Sequence, residues 1–410
     1  MSKRKYAVIP CLILWLLLTG GCEQTEEDND VENHAPVIEY LRASPEVSFD
    51  GEEVQLVFSA SDPDGDSLTY SFIASLGVVT GVDLDSLYLG STERGYHVII
   101  MEVSDGAEEI TAELVVPFLR SREAAIPTDA VKWTPAMDAL PPVTLIDGWS
   151  QPEPMPGPIN SAGAEDAPFI TPDGETFFLF FTPDVTVPPN EQLIDYATGI
   201  YWSQFDAGWS APQRIVLNLD LALDGCPCSL GNRLWFCSAR VGNFGEIDYY
   251  VAELVDGVWE NWQNAGERLN AELSIGELHM LTDDLMYFHW DGEGTYGSND
   301  IWSLEQSGGD WGDPENLGEA VNTAADESRP YVTSDGQELW YTANSEQGYP
   351  GPSIWRSLKQ DDGSWGAGEE IIASFAGEPT LDAEMNIYFT HHFFDGGEMV
   401  EADIYVAWKE

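Results

Sequence analysis

Four carboxylates stand at matching places in a repeated pattern: Asp166, Asp224, Glu277 and Glu327 each open an aromatic-rich hairpin. Gathered round one axis, they would form an acidic ring at a channel mouth, able to hold a cation or a cationic ligand. The competing role is local, since an acidic residue ahead of a proline can cap a strand entry and take backbone amides. Three cysteines, Cys226, Cys228 and Cys237, share one of these hairpins. A turn centred on Gly231 and Asn232 puts Cys226 opposite Cys237, and an exported chain permits a disulfide there. A looser turn favours Cys228, and a three-thiolate metal site lacks a histidine at a matching spacing. Asp62, Asp64 and Asp66 place three carboxylates on one turn, part of an oxygen set for calcium. The alternative is a polar turn whose side chains cap their own backbone. His391 and His392 are neighbours on a strand and point to opposite faces, which argues against a paired metal site. The sequence holds no Ser/His/Asp motif, phosphate-cradling glycine loop or zincin helix.

These side chains need a scaffold, and the repeat supplies it. The hairpins span 165–182, 224–238, 276–290, 326–343 and 377–393. Each is followed by an Ile-Tyr or Ile-Trp strand, as in GIYWS from Gly199 and ADIYVAW from Ala402. A fourth element led by tryptophan closes four of the units, at Trp209, Trp259, Trp311 and Trp365. The fifth copy, WSQPEPMPGPIN from Trp149 to Asn160, precedes the first hairpin, and the last unit ends without one. That offset predicts a closed ring in which Trp149–Asn160 pairs with the strand at 402–408. The tryptophan-led elements recur about every 50 to 60 residues, which fits four short strands per unit. The fold class is therefore all-β, with a five-bladed β-propeller over 147–410. Closure protects strand edges, and aromatics such as Phe178, Phe180, Trp340 and Tyr388 are expected between blades.

The acidic-Pro entry, the Ser-Asp-Gly turn, the aromatic strand and the Asp-Ile-Tyr strand together resemble TolB-type, WD-repeat-like propeller repeats. The best copy runs from Asp326 to Trp355. The resemblance implies an envelope or periplasmic binding or scaffold protein without catalysis. DAPFITPDGETFFLFFT also resembles the first motif of five-bladed arabinanase- and xylosidase-type glycoside hydrolases. That likeness implies Asp166 as base, Asp224 as modulator and Glu277 as acid, two carboxyls flanking a glycosidic bond with one pKa raised.

Ahead of the ring, residues 35–119 alternate in short strands separated by polar turns, which predicts a small β-sandwich. HAPVI, DPDGDSLTYSF and VSDG resemble bacterial Ig-like and cadherin-like modules. Residues 120–146 read as a linker. At the start, Lys3, Arg4 and Lys5 precede an apolar run from Ala7 to Leu18, so residues 1–21 read as a signal peptide. LTGGC resembles the lipobox of bacterial lipoproteins, which implies lipidation at Cys22. Glu23, where an Asp would signal inner-membrane retention, favours the outer membrane. Residues 22–34 read as an acidic, disordered tether.

There are 72 acidic residues against 16 basic, a net charge of −56. Such a surface repels nucleic acid and anionic lipid, leaving membrane contact to the lipid anchor only. The expected function is a lipid-anchored envelope platform for a protein or glycan partner. A secreted glycoside hydrolase and a structural spacer are the alternatives. A roomy mouth with carboxyls roughly 5–9.5 Å apart favours the enzyme. A plugged channel with an exposed apolar rim favours a protein partner.

Overall fold

A computed structural model describes residues 33–81 and 87–410. Cys22 and the segment before it lie outside the described residues. The described chain is all-β, and no helix in it is long and apolar enough to cross a membrane.

Two four-stranded sheets come first. One runs Val37–Ser44, Val54–Ser61, Leu87–Gly90, Val78–Thr80; the other runs Ser48–Phe49, Glu109–Leu119, Gly95–Ser104, Thr69–Ala74. Gly95–Ser104 alternates buried and half-buried residues along its whole length, the period of a strand with one face inward. Val54, Leu56, Leu89, Ile99, Val116 and Phe118 form the core shared by the two sheets.

Five further antiparallel sheets follow, each with its main strands paired in chain order. Their first strands are Ala164–Ile170, Ala222–Leu230, Leu278–Thr282, Ser328–Val332 and Ala376–Leu381. Each first strand touches the first strand of the next sheet, and the fifth touches the first, so the sheets close into a propeller-like ring. Aromatics fill the spaces between sheets as the alternation requires. Phe177 of the first sheet meets Tyr388 of the fifth at 5.8 Å, and Phe178 meets Trp259 of the second at 5.9 Å.

The chain before the ring completes it. Glu153 and Pro154 pair with Val406 and Tyr405, Trp149 bridges to Lys409, and the Met155 amide donates to the Ile404 carbonyl. Asn160 then mimics a strand: its amide accepts from the Ile404 N–H (2.9 Å) and donates to the Ile404 carbonyl (2.8 Å). Asn270 clamps Tyr249, and Asn322 clamps Ile301, in the same two-bond way. This is the physical reason the fourth element so often ends in asparagine.

The aspartate of the Asp-Ile-Tyr pattern has an equally local task. Asp248 takes the amides of Phe244 and Gly245, and Asp300 takes those of Tyr296 and Gly297, holding the loop between second and third strands. Asp403 on the seam sheet instead meets Lys132.

The segment 120–146 is a strap along the ring. Val143–Thr144 adds a fifth strand to the fourth sheet, opposite Ala373 and Ile372. Arg122 enters the interior to pair with Glu165 at 2.6 Å, and Lys132 reaches Glu401 at 2.5 Å.

Candidate functional site

The ring axis is lined by residues that the ladder pushes out of register. Ala167, Cys226, Arg329 and Glu378 all adopt left-handed backbone (φ 45–60°), and each precedes a proline. Pairing slips at every one of these points, a β-bulge that turns the bulged side chain out of the sheet plane. Glu277 takes the same place on the third sheet, where Leu278 stands instead of proline. These five positions surround the mouth.

Of the four carboxylates singled out from the sequence, the structure brings only Asp166 and Glu277 to this mouth. Asp224 is buried one step further back, accepting from Ser238 (2.7 Å), Arg240 (2.6 Å) and Asn218 (3.0 Å). Glu327 is buried too, accepting from the Thr323 amide (2.9 Å) and hydroxyl (2.6 Å). Glu165 makes the same two bonds with Ser161. The acids of the repeat thus cap strand entries, and the acidic ring shrinks to two of its four members.

Sequence reasoning missed the groups that complete the site, Arg329 and Glu378. The signal was present: the residue immediately before each proline, whatever its type, is the one the bulge turns inward. Arg329 Nε lies 2.5 Å from Glu378 and 3.2 Å from Glu277. The Ala167 amide donates to both Asp166 (2.9 Å) and Glu378 (2.8 Å). Burial, then the neighbouring Asp166 charge, pushes Glu378 well above the usual carboxyl range. Burial also acts to raise Asp166, but His392, the hydrogen bond from Glu378 and Arg329 outweigh it and hold Asp166 low. Glu277 and Glu378 keep Arg329 firmly charged.

There is little room here. The mouth holds about 50 Å³, space for a few waters and far below the roughly 300–1,000 Å³ of ligand pockets. One layer down, Phe169, Cys228, His279, Tyr331 and Thr380 are all buried and close the axis. His279 lies tilted against Tyr331 at 4.6 Å, and burial holds it neutral by lowering its pKa to about 4. Cys226 and Cys237 face each other across the hairpin with sulfurs 2.9 Å apart, while Cys228 accepts from the Met280 amide. His391 and His392 part as expected for strand neighbours: His391 meets Asp138 at 2.9 Å, whereas His392 faces Asp166.

The rim around the mouth has a different character. In a four-strand meander the entry to the first strand and the loop after the second lie at one end. At that end the sheets expose Ile194, Val241, Phe244, Ile247, Tyr296, Tyr349 and Met399, with Val241 89% and Ile247 60% accessible.

Far from the ring, Asp62, Asp64 and Asp66 offer oxygens within 4.8 Å of one another. Asp62 already spends one oxygen on the amides of Asp64 and Asp66, and Asp64 accepts from the His34 amide.

The fold and the mouth define an all-β protein whose ring of sheets is propeller-like, with its axis sealed by its own ion cluster. No family model matches the sequence, and no curated protein matches it. Among solved structures the chain is similar to TolB from Acinetobacter baumannii, with 11% identity over 83% of this chain and 80% of that one, at a TM-score of 0.37. It is also similar to a protein of unknown function from Dyadobacter fermentans (11% identity, 92% and 99% covered, TM-score 0.34). A third is an alpha-L-arabinofuranosidase from Lactobacillus brevis (12% identity, 66% and 89% covered, TM-score 0.30). All three scores lie below 0.5, so the reading of this chain rests on its own strands and side chains.

Proposed function

We propose that this chain is a lipid-anchored protein of the bacterial outer membrane whose five-bladed propeller is a non-catalytic binding platform. The N-terminal Ig-like sandwich acts as a stalk, the acidic tether lifts it from the lipid at Cys22, and the partner is an envelope protein or glycan. One observation carries the reading: the mouth is filled by an internal cation, Arg329, bound to Glu277 and Glu378, while every sheet exposes an apolar side chain on the rim around it. A platform needs the second feature. A hydrolase would need the first reversed, with free carboxyls either side of a sugar-sized gap.

A glycoside hydrolase is the second reading, favoured by one specific observation. Asp166 and Glu378 share the Ala167 amide at 2.9 and 2.8 Å, with Asp166 held low and Glu378 raised, the opposed directions an acid and base pair needs. Assay of aryl-arabinoside and aryl-xyloside hydrolysis separates the two. The platform reading expects no release above blank from the intact protein, and no change in Glu277→Gln. Release that disappears in Glu277→Gln or in Glu378→Gln would establish the hydrolase instead.

A further inference from the structure

A second recess lies between the sandwich and the ring, away from both mouth and rim. It encloses about 780 Å³, within the roughly 300–1,000 Å³ of small-molecule sites, which favour domain interfaces. Its walls are tied together across the boundary: the Tyr96 hydroxyl donates to Asn218 (2.5 Å), and the Arg120 amide donates to the Tyr196 carbonyl (3.1 Å). Asn218 is the first sheet's copy of the strand-clamping asparagine. Here it bonds the sandwich and Asp224 instead.

On the ring side the recess is walled by indoles. Trp259 is buried and packs edge-on against Trp202 at 6.3 Å, while Trp202 and Trp262 remain half-exposed. The Trp259 Nε1–H has no acceptor. Beside them lies Arg214, its guanidinium 5.6 Å over the Tyr201 ring and its Nε and Nη1 buried without acceptors. Six of the ten arginines among the described residues form ion pairs with carboxylates, as a chain this acidic makes easy. Arg214 and, on the opposite wall, Arg42 form none, and both line this recess. Glu46, Glu113 and Glu260 sit exposed at its edge, where they disfavour a dense polyanion.

Sugar rings lay their C–H faces on aromatic side chains, and guanidinium groups bind carboxylates through paired donors. We propose that this cleft binds an oligosaccharide carrying a single uronic acid residue, with a ring stacked on Trp262 and the carboxylate on Arg214. The site stands apart from the rim, so it is tested separately from the platform reading.

The test is calorimetric titration of the full chain with trisaccharides that carry one galacturonic, glucuronic or mannuronic acid residue among neutral sugars, and with the methyl ester of each. At least one acid form is expected to bind, and the corresponding ester about tenfold or more weaker. Arg214→Gln and Trp262→Ala should each weaken the acid form about tenfold, whereas the rim variant Phe244→Ser should leave it unchanged. Binding by none of the acids, equal binding of acid and ester, or unchanged affinity in folded Arg214→Gln would each overturn the proposal. The ester comparison uses unaltered protein and holds even if a variant fails to fold.

Discussion

Replacing Arg122 with methionine should cost about 3–5 kcal/mol and lower the melting temperature by roughly 10 °C. Arg122 and Glu165 are both buried, 4% and 0% exposed, and meet at 2.6 Å. The same guanidinium donates to the Pro158 carbonyl (3.2 Å) and to the Ile159 carbonyl, and lies 5.2 Å over the Phe181 ring. Methionine keeps much of the volume but strands a carboxylate in a place where water cannot reach it. Burial already raises Glu165, with Arg122 foremost among the groups opposing that rise. A raised carboxyl contributes its full stability below the unfolded value and loses it as pH climbs toward the folded one. Without Arg122 the folded value rises further, so the defect should be smaller near pH 4 and grow toward neutrality. Melting curves at the two pH values check this. An equal loss at both would show that Glu165 carries no buried charge.

Trp149→Ala should be nearly as damaging, at about 3–5 kcal/mol. This residue binds the two ends of the ring. Its Nε1–H donates to the Met385 carbonyl (2.8 Å), its edge meets Trp340 at 5.6 Å, and Lys409 lies over its face at 3.4 Å. Arg356 adds a second cation at 5.3 Å. Fourth sheet, fifth sheet and C-terminus therefore converge on one indole. Its loss should lower the melting temperature and expose the strand 398–407 to limited proteolysis before the rest of the ring. Half-buried Trp209, which opens the matching element of the first sheet, should cost less when truncated. Equal effects would mean the seam is no weaker than any other sheet.

The seam was legible in the sequence because a displaced copy of a repeat leaves few places for it to go. Trp149–Asn160 had the tryptophan, the apolar pair and the asparagine of the missing fourth element, and it pairs where that logic puts it. The mouth was half legible. Counting strand alternation from the acidic residues assumes an unbroken ladder, and the bulge before each proline breaks it. Glu277 lies at the bulge position and Asp166 one residue before it, so both reach the mouth. Asp224 and Glu327 lie two residues before it and turn back into their own sheets.

Other features were hidden because they join residues far apart in the chain. Lys132 meets Glu401 and Asp403 from the other end of the sequence, and no local pattern announces it. Burial pushes Asp403 up to about 8 against that pull. The cleft between sandwich and ring is likewise a product of docking, since Arg42 and Trp262 have no relation in sequence.

The most direct test of the platform reading places a photo-crosslinking amino acid at Phe244 and Tyr296 on the rim, and at Phe205 on the opposite end, in intact cells. The rim positions should yield a shared, discrete adduct, and Phe205 should yield none. Equal capture from both ends, or none from the rim, would contradict the account.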